Sequence, residues 1–264
     1  MKKVFKKIKD LLPLLLIIVG VVLLIIPFIS QMFVQNKNDS IIENYKKKYE
    51  YMSYEEINEI KKSAEEYNEY KTDKIETINS EDAISYIDIP KINVHLPIFM
   101  GTKNDIIEKG VGLLEKTSFP IGGLGTHSVL TAHSGIPHQT LFNNLKDLEV
   151  GDLFYINTFN EELVYEVKDT VVCLPDEYSK YIVFDKNHDR CTLITCTPTP
   201  TNTHRLLVFG ERYSEEKSST KDEVSSVDNE NNYKENNVYY IIIFTTFVVV
   251  ICLIKRRVSV GKRK

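Results

Sequence analysis

Thr192-Leu193-Ile194-Thr195-Cys196-Thr197-Pro198 decides how this chain is read. The first five residues are β-branched or apolar, the composition of a buried strand. Thr197-Pro198 stops the strand, because proline has no N–H to give to a ladder. A cysteine therefore stands at a strand end, where a rigid sheet can present it as a nucleophile. By parity Cys196 shares a face with Ile194 and Thr192. Cys173 and Cys191 sit inside strand patterns and Cys252 in an apolar run, and all three read as packing. Cys173, Cys191 and Cys196 leave an odd thiol if two of them pair, so no disulfide framework is expected, although a Cys173–Cys191 bridge stays open.

Outward from that stretch, Ile84–Arg212 is rich in strand signals. The candidate strands are Ile84–Ile89, His95–Met100, Val111–Glu115, Ser128–His133, Asp152–Asn157, Glu162–Cys173, Arg190–Thr195 and Arg205–Arg212. Turn signals separate them: Ile89-Pro90, Pro120-Ile121-Gly122-Gly123, Gly135-Ile136-Pro137, Gly151-Asp152 and Pro198–Pro200. Eight short strands with few long helices predict a mostly-β domain, closed or sandwiched. Short helices are expected over Thr140–Leu148 and from Pro175 to Tyr181.

A cysteine nucleophile needs a partner that favours the thiolate. His133 follows Ser128-Val129-Leu130-Thr131-Ala132 at the end of another strand, and His127, His138 and His204 compete with it. Between the two apolar runs the only arginines are Arg190, Arg205 and Arg212, and Arg205 opens the last strand. A planar, permanently charged fork suits an oxyanion or a peptide carbonyl. The competing role for such an arginine is a surface ion pair. No HExxH, CxxC, GxSxG or phosphate-binding glycine loop occurs, so zinc, serine-hydrolase and nucleotide chemistry have no signal. The net charge of −4 makes no case for nucleic acid.

The ends of the chain speak for a membrane. Leu11–Val34 is almost continuously apolar over about 24 residues, and roughly 20 suffice to span a bilayer. Five lysines precede it within residues 1–10. No small-x-small site follows it, so it reads as an uncleaved anchor rather than a signal peptide. Val238–Ile254 is a second, shorter candidate span, followed by a basic tail. Basic flanks at both ends place both termini in the cytoplasm and the middle outside. The expected organisation is a basic segment 1–10, a membrane helix 11–34, a helical extension 35–83, the β domain 84–213, a disordered tether 214–237, a membrane helix 238–254 and a basic tail 255–264. Within the extension, Ile41, Tyr45, Tyr49, Ile57, Ile60, Ala64 and Tyr67 recur at mostly three- or four-residue steps and predict one or two amphipathic helices.

The residues around the three candidates resemble the sortase family. The resemblance rests on Tyr86-Ile87-Asp88-Ile89-Pro90-Lys91-Ile92, Leu96-Pro97-Ile98-Phe99, Thr131-Ala132-His133-Ser134-Gly135, Thr192–Pro198 and Asn202-Thr203-His204-Arg205-Leu206. It covers about Ile84–Arg212. It implies an eight-stranded β-barrel with Cys196 as nucleophile, His133 as acid/base and Arg205 as substrate or oxyanion stabiliser, with no metal or organic cofactor. It also implies LPxTG-like sorting signals of pilin or surface proteins as substrates. These would be cut after Thr through a thioester that an amine resolves, either a pilin lysine or a peptidoglycan precursor. Pro120-Ile121-Gly122-Gly123, the Cys-Thr-Pro context and two spans are similar to class C, the pilin-polymerising members. Residues 37–83 depart from that class: they contain no proline and no Asp-Pro-aromatic lid motif, which leaves a lid absent or built around Tyr67 or Tyr70. Attachment to peptidoglycan, simple hydrolysis by a cysteine protease, and a non-catalytic barrel that only binds such peptides are the competing functions.

Overall fold

The structure, a computed structural model, describes residues 2–70, 79, 82–136, 139 and 141–213. The expected tether, second membrane helix and basic tail lie outside the described residues.

A long helix opens the chain, α1 (Lys2–Glu50). Its segment Leu15–Glu50 holds a window of mean hydropathy 2.7, unburied by the rest of the protein, and is long and apolar enough to cross a membrane. No break falls at the expected boundary near residue 34. The same helix runs on, and its side chains change from all-round apolar to one buried stripe, Ile42, Tyr45 and Tyr49. A second helix, α2 (Tyr54–Tyr70), follows after a short turn. Ser53 and Glu56 start it with reciprocal bonds: the Glu56 N–H donates to Ser53 Oγ at 3.3 Å and the Ser53 N–H to Glu56 Oε2 at 2.9 Å. Its buried face is Ile60, Ala64 and Tyr67, the four- and three-residue steps read from the sequence.

Eight strands follow: β1 (Ser85–Ile89), β2 (Val94–Met100), β3 (Val111–Leu113), β4 (His127–Thr131), β5 (Leu153–Thr158), β6 (Glu161–Cys173), β7 (Arg190–Thr197) and β8 (His204–Arg212), with a one-turn helix α3 (Asn104–Ile107) between β2 and β3. They close into a barrel in the order β1-β2-β3-β4-β7-β8-β6-β5, with β5 returning to β1. The β2/β3 and β4/β7 pairs are parallel and the other pairs antiparallel. Ile87, Ile98, Leu130, Phe154, Tyr165 and Leu193 fill the interior. Gly210 is needed where β8 passes Phe154, because a Cβ there would stand 2.4 Å from the ring.

The outer face of the barrel around β7 carries a second apolar cluster: Val129, Cys173, Ile194 and Leu207, with Tyr178, Ile182 and Phe209 against it. The segment joining β6 to β7 thus covers β7 from outside, which explains why this strand is apolar on both faces. That segment has one short 3₁₀ turn, Tyr178–Tyr181, in place of the expected helix. Likewise the described residues 141–148 of the expected helix Thr140–Leu148 contribute only the 3₁₀ turn Leu145–Asp147.

Candidate active site

β7 and β8 form a hairpin whose register pairs Cys196 with Arg205 and Thr197 with His204. Directly opposed residues in an antiparallel pair project to the same face, with Cβ atoms about 5 Å apart. The nine-residue spacing between Cys and Arg is therefore the length of one hairpin turn. That turn is held from within: the Asn202 N–H and the Thr201 hydroxyl donate to the Pro198 carbonyl at 2.8 and 3.0 Å. Asn202 takes a left-handed φ of 53°, which asparagine tolerates.

On the other flank β4 runs parallel to β7, with Thr131 opposite Ile194. β4 ends at Thr131, so His133 stands two residues beyond the strand rather than at its last position. Three bonds nevertheless carry the pairing onward. The Ala132 N–H donates to the Ile194 carbonyl at 3.3 Å, Thr195 Oγ1 to the Ala132 carbonyl at 2.9 Å, and Ser134 Oγ to the Cys196 carbonyl at 2.5 Å. His133 is thereby level with Cys196. The structure brings the three expected residues to one end of the barrel, Cys196 between His133 and Arg205.

The loop after His133 is clamped. The Phe142 N–H donates to the His133 carbonyl at 3.1 Å, the Gly135 N–H to Asn143 Oδ1 at 2.7 Å, and Asn143 Nδ2 to the Gln139 carbonyl at 2.8 Å. Gly135 has φ 76°, and a Cβ on it would lie 2.9 Å from Thr199 Cγ2, so the loops following His133 and Cys196 touch. Asn143 and Ser134 were not singled out in the sequence as site residues. Their partners are backbone groups supplied by the fold, and no local pattern announces them.

The competitors sort themselves by environment. Cys191 is buried inside the barrel, and burial pushes its thiol far above the usual range, with Asp189 adding to the effect. Cys173 is buried on the outer face and is pushed up first by burial and then by Glu177, with Arg205 opposing. Both are free thiols on opposite faces of the sheet, and Cys196 is the more exposed of the three. His127 is buried, with Nδ1 on the Val183 carbonyl at 3.0 Å and Nε2 on Thr192 Oγ1 at 2.7 Å. Burial lowers its pKa, so it is a neutral structural imidazole. His204 points a ring nitrogen at Thr203 Oγ1, and His138 lies outside the described residues. Arg205 Nη1 donates to the carbonyls of Asn202 at 3.3 Å and His204 at 3.1 Å, within its own turn. Arg212 instead stands over the Tyr165 ring, 5.7 Å from its centroid.

Two expected marks belong elsewhere. Pro120-Ile121-Gly122-Gly123 sits by the start of β7, roughly 20 Å along the strand from Cys196. There the buried Asp189 carboxylate accepts from the Gly123 N–H at 2.8 Å and from the Tyr165 hydroxyl at 2.9 Å. Tyr67 is buried against Phe119, and Asn68 binds the Phe119 backbone in both directions, so Tyr67 is packing and not part of a lid. Among the described residues no group of three or more His, Cys, Asp or Glu side chains could hold a metal ion.

Comparison with known proteins agrees with this geometry. Residues 87–213 match the sortase domain family model. The solved sortase C of Clostridium perfringens with the C-terminal cell wall sorting motif is 40% identical, with a TM-score of 0.62 over 66% of this chain and 98% of that one. Sortase C of Streptococcus pneumoniae, whose structure is described as informing catalysis and pilin substrate specificity, is 33% identical, with a TM-score of 0.62 over 66% of this chain and 97% of that one. Sortase A of Bacillus anthracis is 24% identical over 78% of this chain and 95% of its own length. The chain belongs to the sortase family of transpeptidases and stands close to the class C enzymes.

Proposed function

We propose that Cys196 is the nucleophile, His133 the acid/base and Arg205 the oxyanion stabiliser of a transpeptidase acting on LPxTG-like sorting signals. The observation that carries this reading is the register that sets Cys196 between Arg205 of β8 and the loop bearing His133. The Cys196 thiolate attacks the Thr carbonyl, and the C–S bond forms as the carbonyl π pair moves to oxygen. Arg205 meets that negative charge, for which its guanidinium leaves the carbonyls of its own turn. Collapse of the intermediate breaks the peptide C–N bond, and His133 supplies the proton to the departing amine. The thioester then awaits an incoming amine, whose proton returns to His133 as the new amide forms and the thiolate leaves. The acceptor is a pilin lysine, a reading supported by likeness to sortases described as pilus-related.

The apolar part of α1 serves as the membrane anchor. The second apolar run, 238–254, would make a second span, with both termini cytoplasmic and the barrel outside. A peptidoglycan precursor as acceptor is the second reading, favoured by the missing lid motif in residues 37–83.

The test uses the full chain in detergent with a fluorogenic LPxTG-like peptide, with and without an added amine. Transpeptidation predicts an amine-linked product and a covalent adduct on Cys196, seen by mass. Cleavage indifferent to amine would indicate a cysteine protease, and binding without cleavage a non-catalytic barrel. Co-expression with a pilin bearing such a signal should give a high-mass ladder; one wall-linked species would favour the second reading.

A further inference from the structure

α1 does more than pass beside the barrel. Gln31, Val34, Gln35 and Asn38 lie at three- and four-residue steps, which places them on one face of the helix. They line a cleft of about 30 Å³ whose opposite walls include His95 and Leu96 of β2, and Gln139 and Leu141 from the loop that follows His133. Asn38 is only 5% exposed, an unusual burial for an amide on an anchor helix. Gln139 points its Oε1 into buried space where it has no hydrogen-bond partner. A buried acceptor left without a donor costs free energy, so this cleft has to answer it. Its amide side chains and its volume suit one bound water.

Gln139 is also one end of the clamp. Its carbonyl accepts from Asn143 Nδ2, whose Oδ1 accepts from the Gly135 N–H, two residues from His133. The adjoining Phe142 N–H holds the His133 carbonyl. The helix and the imidazole are thus linked through one cleft and one clamp: Asn38 and Val34 line the cleft with Gln139, the Gln139 carbonyl accepts from Asn143, and Asn143 holds the backbone at Gly135, two residues from His133.

We propose that α1 seats the His133 loop, with Asn38 and Gln139 as positioning residues that set the imidazole against Cys196. This inference rests on the catalytic reading above for its effect on turnover, but not for its effect on the loop.

The test uses the full chain in lipid nanodiscs, with Asn38→Ala, Gln139→Ala, the double variant and the exposed α1 control Lys37→Ala. Hydrogen exchange of the segment 132–143 reads the seat directly; steady-state kinetics on a sorting-signal peptide read its consequence. Each single variant should speed exchange in that segment severalfold and lower kcat between about tenfold and a hundredfold with KM unchanged. The double variant should add little to either, since both residues line one cleft and act on one loop. Lys37→Ala should leave both readouts unchanged. Unchanged exchange in Asn38→Ala, or additive losses in the double variant, would overturn the seat. Faster exchange with undiminished turnover would overturn the positioning role. Should the wild-type chain fail to transfer peptide at all, the catalytic reading falls, while exchange still decides the seat.

Discussion

A thiol is useful to acyl transfer only as a thiolate that substrate can reach, and the three described cysteines differ on both counts. Cys191 is sealed in the barrel and its thiol is held protonated by burial. Iodoacetamide on the folded chain should therefore modify Cys196 well before Cys173 or Cys191, as read by peptide mass. Cys196→Ala should abolish the covalent adduct, whereas Cys191→Ala should keep activity and cost about 1–2 kcal/mol of packing. An inactive but folded Cys191→Ala would refute the assignment. For Arg205 the informative change is Arg205→Lys, which keeps charge and loses the fork. A loss of about 10²–10³-fold in turnover is expected, with Arg212→Lys nearly silent; near-normal turnover would return Arg205 to a surface role. The adjacency of Cys196 and Arg205 was legible because hairpin register converts sequence spacing into adjacency. His133 was singled out as the end of a strand and by family likeness, and it stands two residues beyond β4. Ser134 and Asn143 escaped notice because a side chain that binds distant backbone leaves no periodic trace.

Among the elements, the strands were readable to within two residues at each end, since alternation, β-branching and punctuating Pro and Gly agree with one another there. The expected helices near residues 140–148 and 175–181 were not. Those segments owe their shape to the clamp on the His133 loop and to the apolar outer face of β7, and local propensity is overridden. The closest contact in the barrel gives an element-scale test. Gly210→Ala forces a methyl group onto Phe154, a ring stacked 5.5 Å from Tyr165, and should destabilise by about 1–3 kcal/mol in denaturant titration. The β4–β7 ladder also carries a pH signature. His127 has a folded pKa lowered from 6.5, so it resists protonation in the native state and accepts it when unfolded. Its stabilising contribution is complete above pH 6.5 and is lost as pH falls through the lowered value. Tm should decline between pH 7 and 5.5, and His127→Gln should flatten that slope; an equal slope in both would place the titration elsewhere.

At the scale of the whole molecule, eight strands with an apolar interior were foreseen from the residues as a closed or sandwiched domain, and closure into a barrel was foreseen from the family resemblance. What could not be foreseen was that the expected anchor and the first part of the expected extension are one helix, α1, because an apolar run and an amphipathic run look like separate elements in composition alone. The proposed topology predicts that external protease reaches residues 214–237 in intact cells while Lys255–Lys264 stays protected; release of that tail from outside would exclude two spans. The uninterrupted α1 has a further consequence, in the geometry of encounter. From Val34 to Tyr45 a helix advances about 16 Å along a fixed direction. A flexible linker of the same length would wander over roughly 18 Å in every direction. With α1 in a bilayer, as proposed, the barrel is carried at a nearly set height above the lipid and leans only as far as the helix itself tilts. Collisions with membrane-held substrates then take place in two dimensions between bodies at set heights. The spacer between a sorting signal and its own membrane segment becomes a ruler: a signal of the right sequence but the wrong stature would pass the thiol by.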